Sequence, residues 1–163
     1  MQATIRTGRQ SDLQALLALV PGLADFPLPA NRQPEHLWAA DAALLRQHFA
    51  GETAHSRVLV AAANDGDAVL GFALFTLGKE MLSGEPSAHL EAIVVAAAGR
   101  GQGLGRALLA QVERLAVQEG ARSLTLHAFS TNQRARGLYE SVGFDAELIR
   151  YSKPLAHEPT REE

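Results

Sequence analysis

The spacing of apolar and polar positions changes repeatedly along the chain, and this predicts an alternation of strands and helices. Apolar residues with period-two spacing are typical of strands, and apolar residues three and four positions apart are typical of helices. The predicted strands cover residues 3–7, 57–63, 68–77, 90–95, 123–129 and 144–152. The predicted helices cover residues 11–20, 36–49, about 102–119 and 132–142. These segments describe an α/β chain.

A hairpin, and the crossovers that follow it, predict how the strands are arranged. Residues 64–67, Asn-Asp-Gly-Asp, accept the backbone angles of a tight turn, so the strands on either side pair antiparallel. The later strands are separated by helices, which is typical of βαβ-like crossovers. We therefore predict an α/β sandwich around a mixed sheet, in one domain over residues 1–152. Residues 153–163 are predicted to be a C-terminal tail.

The composition narrows the classes of function. The chain has 163 residues, no cysteine and a formal net charge of -3. The absence of cysteine excludes disulfides, thiolate metal sites and a cysteine acyl-enzyme. The charge gives no basic surface for nucleic acid, so no nucleic-acid partner is expected. With neither a signal-peptide pattern nor an apolar run of bilayer length, we expect a cytoplasmic protein without membrane contact.

A glycine-dense turn between a strand and a helix is the strongest chemical pattern in the chain. Residues 100–106, Arg-Gly-Gln-Gly-Leu-Gly-Arg, follow the apolar run 90–95 directly. This order places unobstructed backbone N–H groups at the positive end of a helix dipole, an arrangement that binds phosphate oxygens without a metal. The turn therefore predicts a pyrophosphate-binding cradle.

Spacing excludes two common phosphate-binding motifs. A dinucleotide fingerprint requires a third glycine where this chain has Arg106 or, in the other register, Leu104. A P-loop requires a lysine directly after its glycines, and the only lysines are Lys79 and Lys153. The glycine turn therefore belongs to another class of phosphate-binding motif.

A second motif lies in residues 132–144, where Asn132 opens a helix that ends before Gly143. Asn132 is a good N-cap, and Tyr139 follows two helical turns later, so both can face one cleft. An amphipathic helix with Tyr139 in its core would account for the same pattern. The segment therefore indicates a function only in combination with the glycine turn.

The two motifs together resemble the signatures of the GCN5-related N-acetyltransferase (GNAT) superfamily. The first is Arg100 followed by Gly103 and Gly105, and the second is the segment 132–144. The resemblance implies a mixed, mostly antiparallel central sheet flanked by helices. It also implies that the strands around residues 93–95 and 124–128 splay apart, so that unpaired backbone groups bind the cofactor like an added strand.

By the same resemblance, the chain transfers an acetyl group from acetyl-CoA to a primary amine of a small molecule or peptide. The amine attacks directly in a ternary complex, no metal is expected, and the chain is compatible with a homodimer. Backbone groups of Ile93, Val94 and Val95 contact the pantetheine of acetyl-CoA. The implied phosphate contacts come from Arg100, Gly101, Gln102, Gly103, Leu104, Gly105 and Arg106, with a later contact from Asn132.

The chemistry requires a proton acceptor, because an amine with a pKa near ~10.4 is protonated at neutral pH. Glu91 interrupts an apolar strand nine residues before Arg100, where members of the resembled family often carry a catalytic carboxylate. Strand alternation places its side chain on the face of His89 and Ile93. An ion pair or an exposed strand edge would also explain Glu91.

His89 and His127 are the other proton acceptors on the predicted cleft strands, since imidazole titrates near neutral pH. A structural role is the more frequent one for a strand histidine. A metal site formed by Glu91 and the two histidines is disfavoured. Tyr139 matches the tyrosine that protonates the departing CoA sulfur in many family members.

The acceptor pocket is expected from residues about 24–50 and 78–89 and from the strand after Gly143. No diagnostic motif lies there, so two alternatives stay open. One is an acetyltransferase for protein N-termini or lysines. The other is a noncatalytic acyl-CoA-binding regulatory module, in which Glu91 and Tyr139 have no effect on any activity.

Overall fold

Five strands form one sheet in the computed structural model, which describes residues 2–156. They are β1 (Ala3–Thr7), β2 (Ser56–Ala63), β3 (Val69–Lys79), β4 (Pro86–Val95) and β5 (Ser123–Leu126). The strands lie in sequence order, and every neighbouring pair is antiparallel except β4 and β5, which are parallel. The predicted mixed, mostly antiparallel sheet is confirmed.

Four α-helices cover the two faces of the sheet. They are α1 (Leu13–Leu19), α2 (Ala39–Phe49), α3 (Leu104–Gln118) and α4 (Gln133–Ser141). Two 3₁₀ turns, Val20–Ala24 and Pro34–Leu37, lie between α1 and α2. The helices that were predicted are therefore present, with ends displaced by a few residues.

Alternating residues of the central strands supply two separate hydrophobic cores. One core lies between the sheet and α3, where Phe75, Leu90 and Leu108 are buried. The other lies on the opposite face against α1 and α2, where Leu45 and Phe72 are fully buried. Burial of both faces explains why β2 and β3 are continuous apolar runs.

The predicted last strand is wrong, because residues 144–152 have no strand structure. Leu148, Ile149 and Tyr151 are exposed in this segment. Alternation of apolar residues predicts a strand only where a neighbouring strand accepts its backbone hydrogen bonds and a core accepts its side chains. The coil continues to residue 156, and the rest of the predicted tail, residues 157–163, lies outside the described residues. Within residues 2–156, no helix is both long and apolar enough to cross a membrane.

Candidate active site

A cleft of about 460 Å³ opens where β4 and β5 separate. The parallel ladder runs from the pair Ser87–Ser123 to the pair Leu90–Leu126 and ends there, although β4 continues to Val95. The predicted loss of pairing between these two segments is confirmed, although β5 stops at Leu126 and is shorter than the predicted strand 123–129. This loss of pairing leaves backbone groups of the last β4 residues facing the cleft without a strand partner among the described residues, as strand-like binding of an amide ligand requires.

The glycine turn forms a cradle at the N-terminus of α3. Gly101 and Gly103 have φ angles of 73° and 74°. This is a left-handed backbone conformation that residues with a Cβ atom rarely adopt. The first backbone bond of the helix runs from the Ala107 N–H to the Gly103 carbonyl at 3.0 Å. The N–H groups ahead of Ala107 therefore remain available at the positive helix end, which fits a phosphate group.

Nearly all residues proposed for the cofactor line this cleft. Those that do are Ile93, Val94, Val95, Arg100, Gly101, Gly103, Leu104, Gly105, Arg106 and Asn132. Gln102 does not, because its side chain turns back and donates to the Ala98 carbonyl at 2.9 Å.

Existing contacts hold the polar side chains of this end in place. Arg100 forms an ion pair with Asp25 at 3.0 Å, and Arg106 donates to the Ser141 hydroxyl at 3.0 Å. Asn132 caps α4, where its side-chain oxygen accepts the Ala135 N–H at 3.2 Å. The amide nitrogen of this cap stays available for a further acceptor.

Glu91 lies in the cleft at a β-bulge. Leu74 pairs with Ala92 and Phe75 with Leu90, so Glu91 is the extra residue of β4. Its carboxylate accepts a hydrogen bond from the Thr76 hydroxyl at 2.7 Å. A bulge of this kind redirects a side chain and is frequent beside active sites.

The bulge corrects one prediction about strand faces. Thr76 is the register partner of His89, so its bond to Glu91 places Glu91 on the His89 face, toward α2. Ile93 packs in the core against α3 on the opposite face. Alternation alone missed this because one inserted residue reverses the order of the faces.

The two histidines have different surroundings. The Nδ1 of His89 lies 2.8 Å from the Thr125 hydroxyl, and burial lowers the His89 pKa, partly offset by the nearby Glu91. The ring of His127 lies 4.9 Å from that of His89, and only His127 lines the cleft. His89 is thus a neutral, hydrogen-bonded residue of the sheet.

Tyr139 also lines the cleft, from α4. Its ring packs edge-on against Phe144 with centroids 5.9 Å apart, and burial raises its pKa above the usual value. The phenol is therefore protonated at neutral pH, as a proton donor must be. The packing role and the chemical role coexist in this residue.

Sequence reasoning missed Asp41, which enters the cleft from α2. Burial, together with the charge of Glu91, raises the pKa of Asp41 to about 7. It also missed an aromatic contact between Phe26 and Phe129, which both line the cleft and have ring centroids 5.7 Å apart. The sequence offered one indication that Asp41 faces inward, which is its position on α2 next to Ala42 and one turn before Leu45, both of which are buried.

A family comparison identifies the class of protein. The model of the Acetyltransferase (GNAT) family matches residues 23–144, which include the cradle, Glu91 and Tyr139. The chain belongs to this family. It is an acetyl-CoA-dependent N-acetyltransferase, and the family's fold binds acetyl-CoA.

Individual relatives agree with the family. A thialysine N-epsilon-acetyltransferase from Bos taurus is 28% identical over 145 residues, covering 85% of this chain and 82% of the relative. A putative acetyl transferase from Pyrococcus furiosus has a TM-score of 0.76 at 21% identity, covering 94% of this chain and 100% of the other.

A structure of AAC(6')-Iy in complex with the bisubstrate analog CoA-S-monomethyl-acetylneamine has a TM-score of 0.68 at 23% identity. It covers 95% of this chain and 100% of the other. At this identity, both structural likenesses show the common fold.

The arrangement of possible metal-ligating side chains can also be compared with what a metal site requires. Within residues 2–156, no group of three or more histidine, aspartate or glutamate side chains is arranged to hold an ion.

Proposed function

We propose that the enzyme transfers the acetyl group of acetyl-CoA directly to a primary amine of a small molecule or peptide. The observation that carries this proposal is the convergence of Glu91, Tyr139 and the α3 cradle on one cleft. The two side chains come from β4 and α4, on the two sides of the opening. In this proposal they carry out the proton transfers of the reaction.

Acetyl-CoA supplies the acetyl group and a thiolate leaving group. In this proposal the N–H groups of residues 101–106 hold its phosphates, and the open edge of β4 holds its pantetheine amides. Arg100 and Arg106 add positive charge at the same end of the cleft. The glycine conformations and the free edge of β4 fit this ligand.

Glu91 takes the proton from the acceptor ammonium, directly or through a water, and so frees the nitrogen lone pair. A C–N bond forms as the C–S bond breaks, and Tyr139 gives its proton to the sulfur. The nitrogen loses its second proton as the amide forms, and this proton restores Tyr139. Glu91 passes the first proton to solvent, so the products are an amide, CoA with its thiol restored and one released proton. Holding amine and thioester together contributes much of the rate enhancement.

Two observations favour a small amine over a folded protein as acceptor. The cleft has a volume of about 460 Å³, and its lining includes the aromatic pair Phe26 and Phe129. The bovine relative bears the name of thialysine, an amino acid with a side-chain amine. A protein N-terminus or lysine remains the competing acceptor class.

The test is CoA release measured with a panel of acceptors: alkylamines, diamines, free amino acids and a peptide with a lysine. We expect turnover with small primary amines and slower turnover with the peptide. Faster turnover with the peptide would favour the protein acetyltransferase. If the protein binds acetyl-CoA but none of the acceptors in the panel causes CoA release, the proposed function is contradicted.

A further inference from the structure

Asp41 is a carboxylate of the cleft that has no ion-pair partner among the residues that the structure describes. It lies in the first turn of α2 and lines the cleft together with Glu91. None of the ion pairs formed within residues 2–156 involves it. The charge that shifts the pKa of Asp41 is that of another carboxylate, Glu91.

Helix stability does not explain this position. A carboxylate in the first turn stabilises a helix through the dipole, but the exposed Ala40 would offer the same benefit in water. Asp41 is instead half-buried beside Glu91, where ionisation is opposed by both burial and like charge. The protein thus carries a carboxylate at a place that is unfavourable without a ligand.

The charges of the cleft are separated between its two sides. Asp41 and Glu91 lie on the α2 face of the sheet, where Glu91 is held by Thr76. The arginines of the cleft belong to the cradle and α4, and they are Arg100, Arg106 and Arg134. Asp25 pairs with Arg100, while His127 and Tyr139 come from the β5 end and α4. One side therefore suits phosphates and the other suits a cation.

Apolar side chains also line the cleft. Leu23, Phe26 and Leu37, from the segments between α1 and α2, line the same cleft. A carboxylate with apolar neighbours suits a group that is charged at its tip and aliphatic along its stem, since the stem is removed from water while the charge is paired. An alkylammonium group has this form.

We propose that Asp41 binds a positively charged alkylammonium group of the acceptor and thereby makes the enzyme selective for cationic amines. This inference rests on the proposed function and names the substrate class for it. Asp41 contacts the bound acceptor, and Glu91 beside it takes the proton that leaves the reacting nitrogen. Acetylation turns an ammonium into a neutral amide, so the attraction of the two carboxylates for that group ends when the product forms.

The experiment compares Asp41→Asn with wild type in steady-state kinetics, using n-pentylamine and 1,5-diaminopentane as acceptors. Loss of a charge-assisted contact is expected to raise the KM for amine about 10-fold or more. The kcat and the KM for acetyl-CoA should stay within about twofold, because the cradle is unchanged. Asp65→Asn, an exposed carboxylate in the β2–β3 turn, is the matched control and should behave as wild type.

The two probes separate two versions of the contact. An equal effect on both amines means that Asp41 binds the reacting ammonium, and an effect on the diamine alone means that it binds a second one. An unchanged KM for both amines overturns the proposal, as does an equal rise in the KM for acetyl-CoA.

The pH dependence gives a readout that a merely structural carboxylate would not move. The raised pKa of Asp41, about 7, means that its anion forms as the pH rises through that range. The wild-type KM for amine should therefore fall between about pH 6 and pH 8, while the amine stays protonated, and Asp41→Asn should lose this dependence.

Stability provides a second control. Asp41→Asn should have a higher Tm than wild type at alkaline pH, because it removes an unfavourable buried charge. A lower Tm together with a fall in kcat would show a structural role and overturn the proposal.

Failure of this inference is distinguishable from failure of the proposed function. Calorimetric titration of 1,5-diaminopentane onto the CoA-bound protein measures amine binding without turnover. If wild type binds the amine but acetylates nothing, the proposed reaction fails while the Asp41 contact is still measured. If wild type acetylates amines and Asp41→Asn binds them equally well, only this inference fails.

Discussion

The two ends of the cleft are built by different means. The proposed cofactor end consists of backbone N–H groups of the α3 cradle and the open edge of β4. The proposed acceptor end consists of side chains that come from distant segments, among them Asp41 on α2 and Phe26 after α1. Binding through the backbone demands specific residue types at fixed spacing, and binding through side chains does not.

This difference gives the two ends different tolerance to substitution. At the cradle, a left-handed glycine and a helix N-terminus are set by local sequence, so one replacement alters the binding geometry. At the acceptor end, each side chain adds a separate contact, and a replacement changes the acceptor more than the cofactor. The predictions below act on one end or on the reacting centre between them.

Apart from the test of Glu91 described last, the largest effect is expected at the leaving group. Tyr139→Phe keeps the ring that packs on Phe144 and removes only the hydroxyl. We expect turnover to fall by about 10²-fold, because general acid catalysis contributes on that order. Acetyl-CoA affinity and thermal stability should stay near wild type.

The pH profile distinguishes the acid from a packing residue. Wild-type turnover should decline at alkaline pH as Tyr139 ionises, at a pH above that of an ordinary tyrosine because burial raises its pKa. The Phe variant should lack this decline. A Phe variant with wild-type single-turnover rate, or with the same alkaline decline, would reduce Tyr139 to a packing role.

The same contrast explains which features the sequence predicted. Gly101 and Gly103 identified the cradle, and Asn132 identified the start of α4, because turns and caps require particular residue types. Asp41 was missed because a pocket assembled from remote segments has no spacing rule. The orientation of Glu91 depended on a bulge, and residues 144–152 kept a strand-like pattern without forming a strand.

A smaller effect is expected from Gly103→Val at the cradle. The added Cβ meets no atom within 4 Å, but the φ angle of 74° strains any β-branched residue. We expect acetyl-CoA affinity to fall about 10-fold, as the turn relaxes away from the geometry that exposes its N–H groups. Calorimetry measures this directly.

Gly120→Val is the matched control for that prediction. Gly120 ends α3 with a φ angle of 86° and also has open space around it, so its replacement is strained in the same way. It should lower stability without changing acetyl-CoA affinity. Equal affinities for the two variants would refute the cradle assignment.

The smallest effect is expected at Thr76, which holds the Glu91 carboxylate at 2.7 Å. Thr76→Val keeps the shape and removes the donor, so kcat should fall about 3- to 10-fold, which corresponds to the loss of one ordinary protein hydrogen bond. The KM for acetyl-CoA should be unaffected. Thr76→Ser keeps the hydroxyl and should restore most of the rate; an equally slow Ser variant would show that packing matters and not the bond.

Single-turnover acetyl transfer in Glu91→Gln, at saturating acetyl-CoA and amine, tests the central claim most directly. Glu52→Gln, an exposed carboxylate outside the cleft, serves as control. We predict that the rate falls by about 10²-fold or more while acetyl-CoA affinity changes by less than about twofold. A Glu91→Gln rate within about twofold of wild type from pH 6 to pH 9 would contradict the account and transfer the role of base to His127 or to bulk water.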